Sequence, residues 1–152
     1  MIDERLKELS IEIPTPPSPA GSYIPVVTTG NLAFVSGQIP MKEGKVVFEG
    51  KVPNDQTPED AREAAKICII NGLAQLKANL GSLDKIIKFV RISGFVNSNP
   101  NFYEQPKIIN AASDLLVEIF GDKAKHSRIA VGVASLPLNS TVEIDMVVEF
   151  SS

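Results

Sequence analysis

The order of apolar and polar positions divides the chain into helix-like and strand-like stretches. Residues 2–10 place Leu6 and Leu9 on one face of a short helix. Pro14-Thr15-Pro16-Pro17-Ser18-Pro19 follows, and prolines at that density exclude a helix or a central strand and predict an extended connector. Strands are expected over 24–28 and 32–36, with Gly30-Asn31 as the turn between them, and over 45–48 after a turn at Glu43-Gly44. Thr57-Pro58-Glu59-Asp60 is a helix start: Thr57 can cap free N–H groups, Pro58 suits the first turn and Asp60 completes a capping-box pattern. The stripe Ala61, Ala65, Cys68, Leu73, Leu76, Leu80 continues that helix to a stop at Gly81. Residues 85–97 are nearly continuously apolar, the pattern of a central strand covered on both faces. A second helix is expected over 103–120, with Ile108, Ile109, Ala112, Leu116, Ile119 and Phe120 as its stripe. Strands over 127–134 and 142–150 end the chain. The order βββ-α-β-α-ββ predicts an α+β fold, a mixed six-stranded sheet with two helices packed on one face.

The last two strands alternate. In the first, Ile129, Val131 and Val133 oppose Arg128, Ala130, Gly132 and Ala134; in the second, Val142, Ile144, Met146, Val148 and Phe150 oppose Glu143, Asp145, Val147 and Glu149. The apolar sets are expected to lie under the helices, leaving a second sheet face that is small or charged. Self-association, sheet against sheet, is one use for such a face; plain solvation is the other. Arg128 and Glu143 are the candidate chemical pair, since a guanidinium clamps a carboxylate with two hydrogen bonds and a glutamate can act as a base toward water. In a simple hairpin they would stand roughly 20 Å apart at about 3.3 Å per residue. They share a site only if the two strands are not a hairpin or if a neighbouring subunit supplies one of them.

Composition narrows the chemistry. The 152 residues are 43% apolar and 22% charged, the balance of one ordinary globular domain spanning 1–152, of which 1–18 read as an N-terminal extension ending in the Pro-rich connector. No apolar run reaches the roughly 18 residues of a membrane span. Met1-Ile2-Asp3-Glu4-Arg5 does not resemble a secretory leader, so a soluble, cytoplasmic protein is expected. One cysteine, Cys68, and one histidine, His126, leave no Cys-cluster or multi-histidine metal site. Cys68 reads as a packed core thiol and His126 as a solvated loop histidine at the rim of any cleft. A net charge of −3 without a basic stripe argues against nucleic acid. Catalysis, if present, falls to Arg, Lys, Asp, Glu, Tyr, Ser or backbone groups.

Two segments carry a resemblance. Ser127-Arg128-x-x-Val131-x-Val133-Ala134-x-Leu136-Pro137 followed by Val142-Glu143-Ile144-Asp145 resembles the C-terminal signature of the RidA/YjgF family, reactive-intermediate deaminases also labelled L-PSP-type endoribonucleases. Gly21-Ser22-Tyr23 and Gly30-Asn31-Leu32-Ala33-Phe34-Val35-Ser36-Gly37-Gln38-Ile39-Pro40 resemble its N-terminal block, and Phe95-Val96 and Asn110 fit its middle. The resemblance implies a chorismate-mutase-like fold, a homotrimer with inward-facing sheets, and a cleft at each subunit interface.

It also implies a reaction, hydrolysis of enamines and imines of the 2-aminoacrylate/2-iminopropionate type to 2-keto acids and ammonia, with no metal or organic cofactor. Carried over by position, Arg128 would clamp the substrate carboxylate and Glu143 would hold and activate water. Tyr23 would close the pocket, Ser36 and Gly37 would line it, and Asn110 would add a polar edge. Ala130 stands where many members carry cysteine: a role through the backbone carbonyl survives that change, and a role through the thiol does not. The segment between Phe95 and Asn110 is about four residues longer than in the short deaminases, which places the chain in a longer branch. A non-catalytic carboxylate-binding trimer would keep Arg128 without turnover. A ribonuclease would need phosphate clamps and an acid–base pair that the sequence does not offer, and a chorismate mutase would need an arginine cluster that is equally lacking.

Overall fold

Among residues 1–19 and 21–152, which this computed structural model describes, the chain runs α1 (Ile2–Glu8), β1 (Val26–Thr29), β2 (Leu32–Gln38), β3 (Met41–Lys42), β4 (Lys45–Val46), α2 (Pro58–Leu80), β5 (Ile86–Asn97), α3 (Gln105–Phe120), β6 (Ser127–Val133) and β7 (Val142–Phe150). Helix α2 starts on a complete capping box, in which the Thr57 hydroxyl accepts from the Asp60 N–H at 3.1 Å and the Asp60 carboxylate from the Thr57 N–H at 3.3 Å. It stops at Gly81, whose φ of 89° is left-handed. Helix α1 is docked rather than trailing: Leu6 is buried, and Arg5 Nε donates to the Glu118 carbonyl of α3 at 2.8 Å.

The sheet has the order β1-β2-β7-β5-β6, antiparallel throughout except for the parallel pair β5 and β6. It has five strands, not the six expected. The strand expected over 45–48 is only Lys45–Val46. A tight turn with positive φ at Glu43 and Gly44 folds it back onto Met41–Lys42, so the two form a separate ribbon. Helices α2 and α3 cover one face of the sheet. The core between them holds Cys68, Leu73 and Leu76 of α2, Ile108, Ile109 and Leu116 of α3, Phe89 and Ile92 of β5, and Ile144, Met146 and Val148 of β7. Phe89 meets Phe120 edge to face at 4.8 Å, fixing the end of α3 on β5.

The last strands are not a hairpin. β7 lies between β2 and β5, and β6 is the outer strand beyond β5. The faces of β7 fall as expected, but those of β6 are reversed. Arg128 pairs with buried Ile92 and Ala130 with buried Gly94, so Arg128, Ala130 and Gly132 face α3, while Ile129 is 41% exposed on the open face. The physical reason is space. A Cβ on Gly94 would meet Ile109 side-chain atoms at 2.6 Å, and one on Gly132 would meet Ser98 Oγ at 2.6 Å. Small residues are needed under α3, so the apolar stripe of β6 turns outward. β5 is accordingly covered on one face only, with Val90 and Arg91 exposed on the other.

Candidate active site

Glu143 lies on the open face of β7, opposite Phe95. Beside it β2 carries an irregularity between Val35 and Gln38, and there the backbone of Gly37 comes so close that an added Cβ would lie 2.0 Å from Glu143 Oε2. Glycine is what lets this carboxyl rest against the strand. Ser36 ties the preceding segment down: its hydroxyl donates to the Ile24 carbonyl at 2.9 Å and its N–H to the Pro25 carbonyl at 2.8 Å. Tyr23 is thereby held at the mouth, 46% exposed. These four residues line one cleft of about 470 Å³.

Its remaining wall comes from the Pro-rich connector. Gln75 of α2 donates to the Pro17 carbonyl at 2.8 Å, and Pro17, Ser18 and Pro19 line the cleft opposite Ile39 and Met41. Asn71, one turn earlier, donates to the Ile39 and Met41 carbonyls at 3.1 and 3.0 Å. Sequence reasoning passed over Asn71 and Gln75; two amides placed four apart and flanked by Ile70, Leu73, Ala74 and Leu76 were the available signal. Burial, and then the neighbouring Asp145 two residues along the same face, raise the proton affinity of the Glu143 carboxyl above the ordinary glutamate value.

Arg128 is elsewhere. It pairs with Ile92 of β5 and Glu143 with Phe95, three positions along, so the two project from opposite faces of the sheet. The guanidinium reaches α3, where Nη1 donates to Asn110 Oδ1 at 2.9 Å and to Ser113 Oγ at 3.1 Å. Among the described residues no carboxylate pairs with Arg128 and none of its other N–H groups has a partner, so the Nε/Nη2 edge is available to fork a carboxylate. Ala130 follows on the same face, packed against the core. The expected site residues therefore form two groups in one chain: Tyr23, Ser36, Gly37 and Glu143 in the cleft, and Arg128, Asn110 and Ala130 at the β6/α3 edge. His126, expected in a solvated loop, is instead half-buried, with Nε2 2.9 Å from Ser113 Oγ and Nδ1 2.5 Å from the Ala124 carbonyl. Cys68 is the packed thiol expected: it is fully buried, 3.6 Å from the Val142 carbonyl, and burial pushes its pKa up. Among the described residues no group of His, Cys, Asp and Glu is arranged to hold a metal, and no helix is long and apolar enough to cross a membrane.

A mixed sheet with its helices on one face, an open second face and half of a polar site on each side defines a class of small α+β proteins. The chain belongs to the YjgF/chorismate mutase-like, putative endoribonuclease family, matched over residues 3–150. It is 45% identical to Atu1372 of Agrobacterium tumefaciens, a crystal structure of unknown function, with a TM-score of 0.92 covering 99% of this chain and 92% of that one. It is 37% identical to Protein TCP17 of Trypanosoma cruzi, covering 97% of this chain and 92% of the relative. It is 30% identical to a 2-iminobutanoate/2-iminopropanoate deaminase of the mite Dermatophagoides farinae, over 91% of this chain and 93% of that protein.

Proposed function

We propose that this chain hydrolyses reactive enamine and imine acids of the 2-aminoacrylate/2-iminopropionate type to 2-oxo acids and ammonia, at clefts formed between copies of a homotrimer. The observation that carries the reading is the guanidinium of Arg128, which is held at Nη1 by α3, unpaired with any carboxylate of the described chain, and open along its Nε/Nη2 edge. A side chain so held fits a small carboxylate. The mite deaminase supports the reaction class.

In the proposed reaction the Arg128 edge of one copy fixes the substrate carboxylate against the Glu143 cleft of the next. Glu143 takes a proton from water as the oxygen adds to the imine carbon, giving a carbinolamine. That proton completes the amino group of the carbinolamine; Glu143 then takes the carbinolamine hydroxyl proton and passes it to the same nitrogen as the C–N bond breaks, so that the carbonyl forms and ammonia leaves. A carboxyl with raised proton affinity suits both directions of that transfer. The imine is already electrophilic, so anchoring and water placement are what the protein needs to supply, and no cofactor is invoked. Tyr23 closes the mouth, and the Ala130 position contributes backbone only.

The endoribonuclease wording in the family description fits the site less well. Among the described residues no Lys or Arg of the same chain lines the Glu143 cleft, whose walls are largely proline, Tyr23, Ile39 and Met41. A phosphodiester would meet the Glu143 carboxylate there, with the single Arg128 of the next copy as its clamp.

The test couples a serine/threonine dehydratase, which releases 2-aminoacrylate, to semicarbazide trapping. The wild type is expected to suppress the trapped adduct and Arg128→Ala to lose at least about 10²-fold of that activity, the size of a lost charged anchor. Equal trapping with and without the wild type, across several imino acids, would sink the proposal.

A further inference from the structure

Arg128 does not end its contacts at Ser113. The Ser113 hydroxyl stands between two partners, Arg128 Nη1 at 3.1 Å and His126 Nε2 at 2.9 Å. Arg128 can only donate, so Ser113 Oγ accepts from it. At the far side of the ring the Ala124 carbonyl can only accept, so His126 Nδ1 carries its hydrogen. With the ring neutral, Nε2 is then an acceptor, and the Ser113 O–H donates to it. One direction of donation runs through the whole chain: Arg128 to Ser113, Ser113 to His126, His126 to Ala124.

Each member is fixed by a different element. Ala124 closes a short 3₁₀ turn, Gly121–Ala124, and is itself fully buried; His126 immediately precedes β6; Ser113 is one turn beyond Asn110 on α3. Asn110 Oδ1 takes the second Nη1 hydrogen at 2.9 Å. Both hydrogens of Nη1 are thereby committed, which orients the planar guanidinium and leaves its other edge outward. An arginine otherwise carries several rotatable bonds, and ordering them on ligand binding costs affinity.

We propose that Ser113 and His126 are positioning residues for carboxylate recognition, a relay that pre-sets Arg128 so that a small 2-oxo or 2-imino acid meets an already oriented fork. The inference rests on the functional reading above, in which Arg128 is the carboxylate anchor. The relay sets affinity for the carboxylate group, while Glu143 and the water step lie outside it. Ser113→Ala and His126→Phe therefore raise KM and leave kcat nearly unchanged.

The experiment measures dissociation constants for 2-oxobutanoate and for its uncharged amide, 2-oxobutanamide, by calorimetry on the wild type, Arg128→Ala, Ser113→Ala, His126→Phe, Ser113→Thr and the Ser113→Ala/His126→Phe double variant. The wild type is expected to prefer the acid. Ser113→Ala and His126→Phe are each expected to weaken acid binding about tenfold, the effect of one lost hydrogen bond to a charged group, with amide binding unmoved. Ser113→Thr, which keeps the hydroxyl, is expected to bind like the wild type. The double variant is expected to match the worse single variant, as members of one relay are not additive. Undiminished acid preference in both single variants, or equal weakening toward acid and amide, overturns the relay and leaves the functional reading intact. A wild type without acid preference, matched by Arg128→Ala, overturns the functional reading itself and the relay with it.

Discussion

At the scale of single residues, Glu143 ties stability to chemistry. Its folded carboxyl holds a proton more tightly than it does in the unfolded chain, because burial and Asp145 both disfavour the charge. The sign follows from linkage: the contribution to stability is fully present below the ordinary value of 4.5 and is lost as pH rises through the raised folded value. Glu143→Gln removes that cost. It is expected to raise the melting temperature at pH 7 by roughly 1–3 °C, with the difference from wild type closing at pH below 4.5. The same variant is expected to lose about 10²–10⁴-fold in imine hydrolysis, because glutamine cannot relay a proton. Melts across pH, read beside the trapping assay, check both halves. A melting temperature lowered at pH 7 would show that a cation from a neighbouring copy already pairs with this carboxylate. Glu143 was visible in sequence as a polar position in an alternating strand; its neighbour Asp145 was passed over, because residue type and parity cannot report how two like charges share a desolvated surface.

At the scale of elements, the interface between α3 and the β5/β6 edge decides where Arg128 points. Gly94 is the contact that permits it, since a methyl there would press on three Ile109 atoms at 2.6, 2.6 and 2.8 Å. Gly94→Ala is expected to destabilise the fold by about 1–3 kcal/mol through overpacking. It is also expected to reduce activity in the molecules that remain folded, because α3 carries Asn110 and Ser113 away from the guanidinium. Denaturant unfolding and the trapping assay on the same preparation test this. A stable variant with wild-type turnover would mean that α3 does not set the arginine. This interface also marks where the sequence stopped being readable. The capping box at Thr57 and the stop at Gly81 are local chemistry and were legible. The open face of β7 was legible because its two parities differ plainly in polarity. In β6 the choice lay between Ile129, Val131 and Val133 on one side and Ala130 and Gly132 on the other, and hydropathy favours burying the first set. What decided otherwise was helix proximity, a distance between elements that no periodicity carries. The expected sixth strand failed for a related reason: Glu43-Gly44 read correctly as a turn, but its geometry returns the chain to Met41–Lys42 and not to the sheet.

At the scale of the whole molecule, the register places the two halves of the candidate site beyond each other's reach within one chain. Arg128 and Glu143 stand on opposite faces, opposite Ile92 and Phe95 of the same strand. A covering partner is also what the open face calls for, since Val27, Phe34 and Ile129 are 48%, 38% and 41% exposed on it. If each complete site takes its arginine from one copy and its glutamate from the next, two inactive variants can repair each other. Arg128→Ala and Glu143→Gln are each expected to be nearly inactive alone. Co-expressed in equal amounts, they assemble with random neighbours, and a site is whole only where a Glu143→Gln copy supplies the arginine beside an Arg128→Ala copy supplying the glutamate. Each condition holds for half of the copies, so activity should return to about a quarter of the wild type in a cyclic assembly. The double variant Arg128→Ala/Glu143→Gln co-expressed with wild type should follow the square of the wild-type fraction if sites are shared, about a quarter at equal amounts, and the fraction itself, about a half, if each chain works alone. Mixing purified, fully assembled variants without unfolding should give nothing until subunits exchange. Failure of co-expression to restore any activity, with light scattering still reporting mixed oligomers, would mean that each chain works alone and that the arginine and glutamate serve different sites.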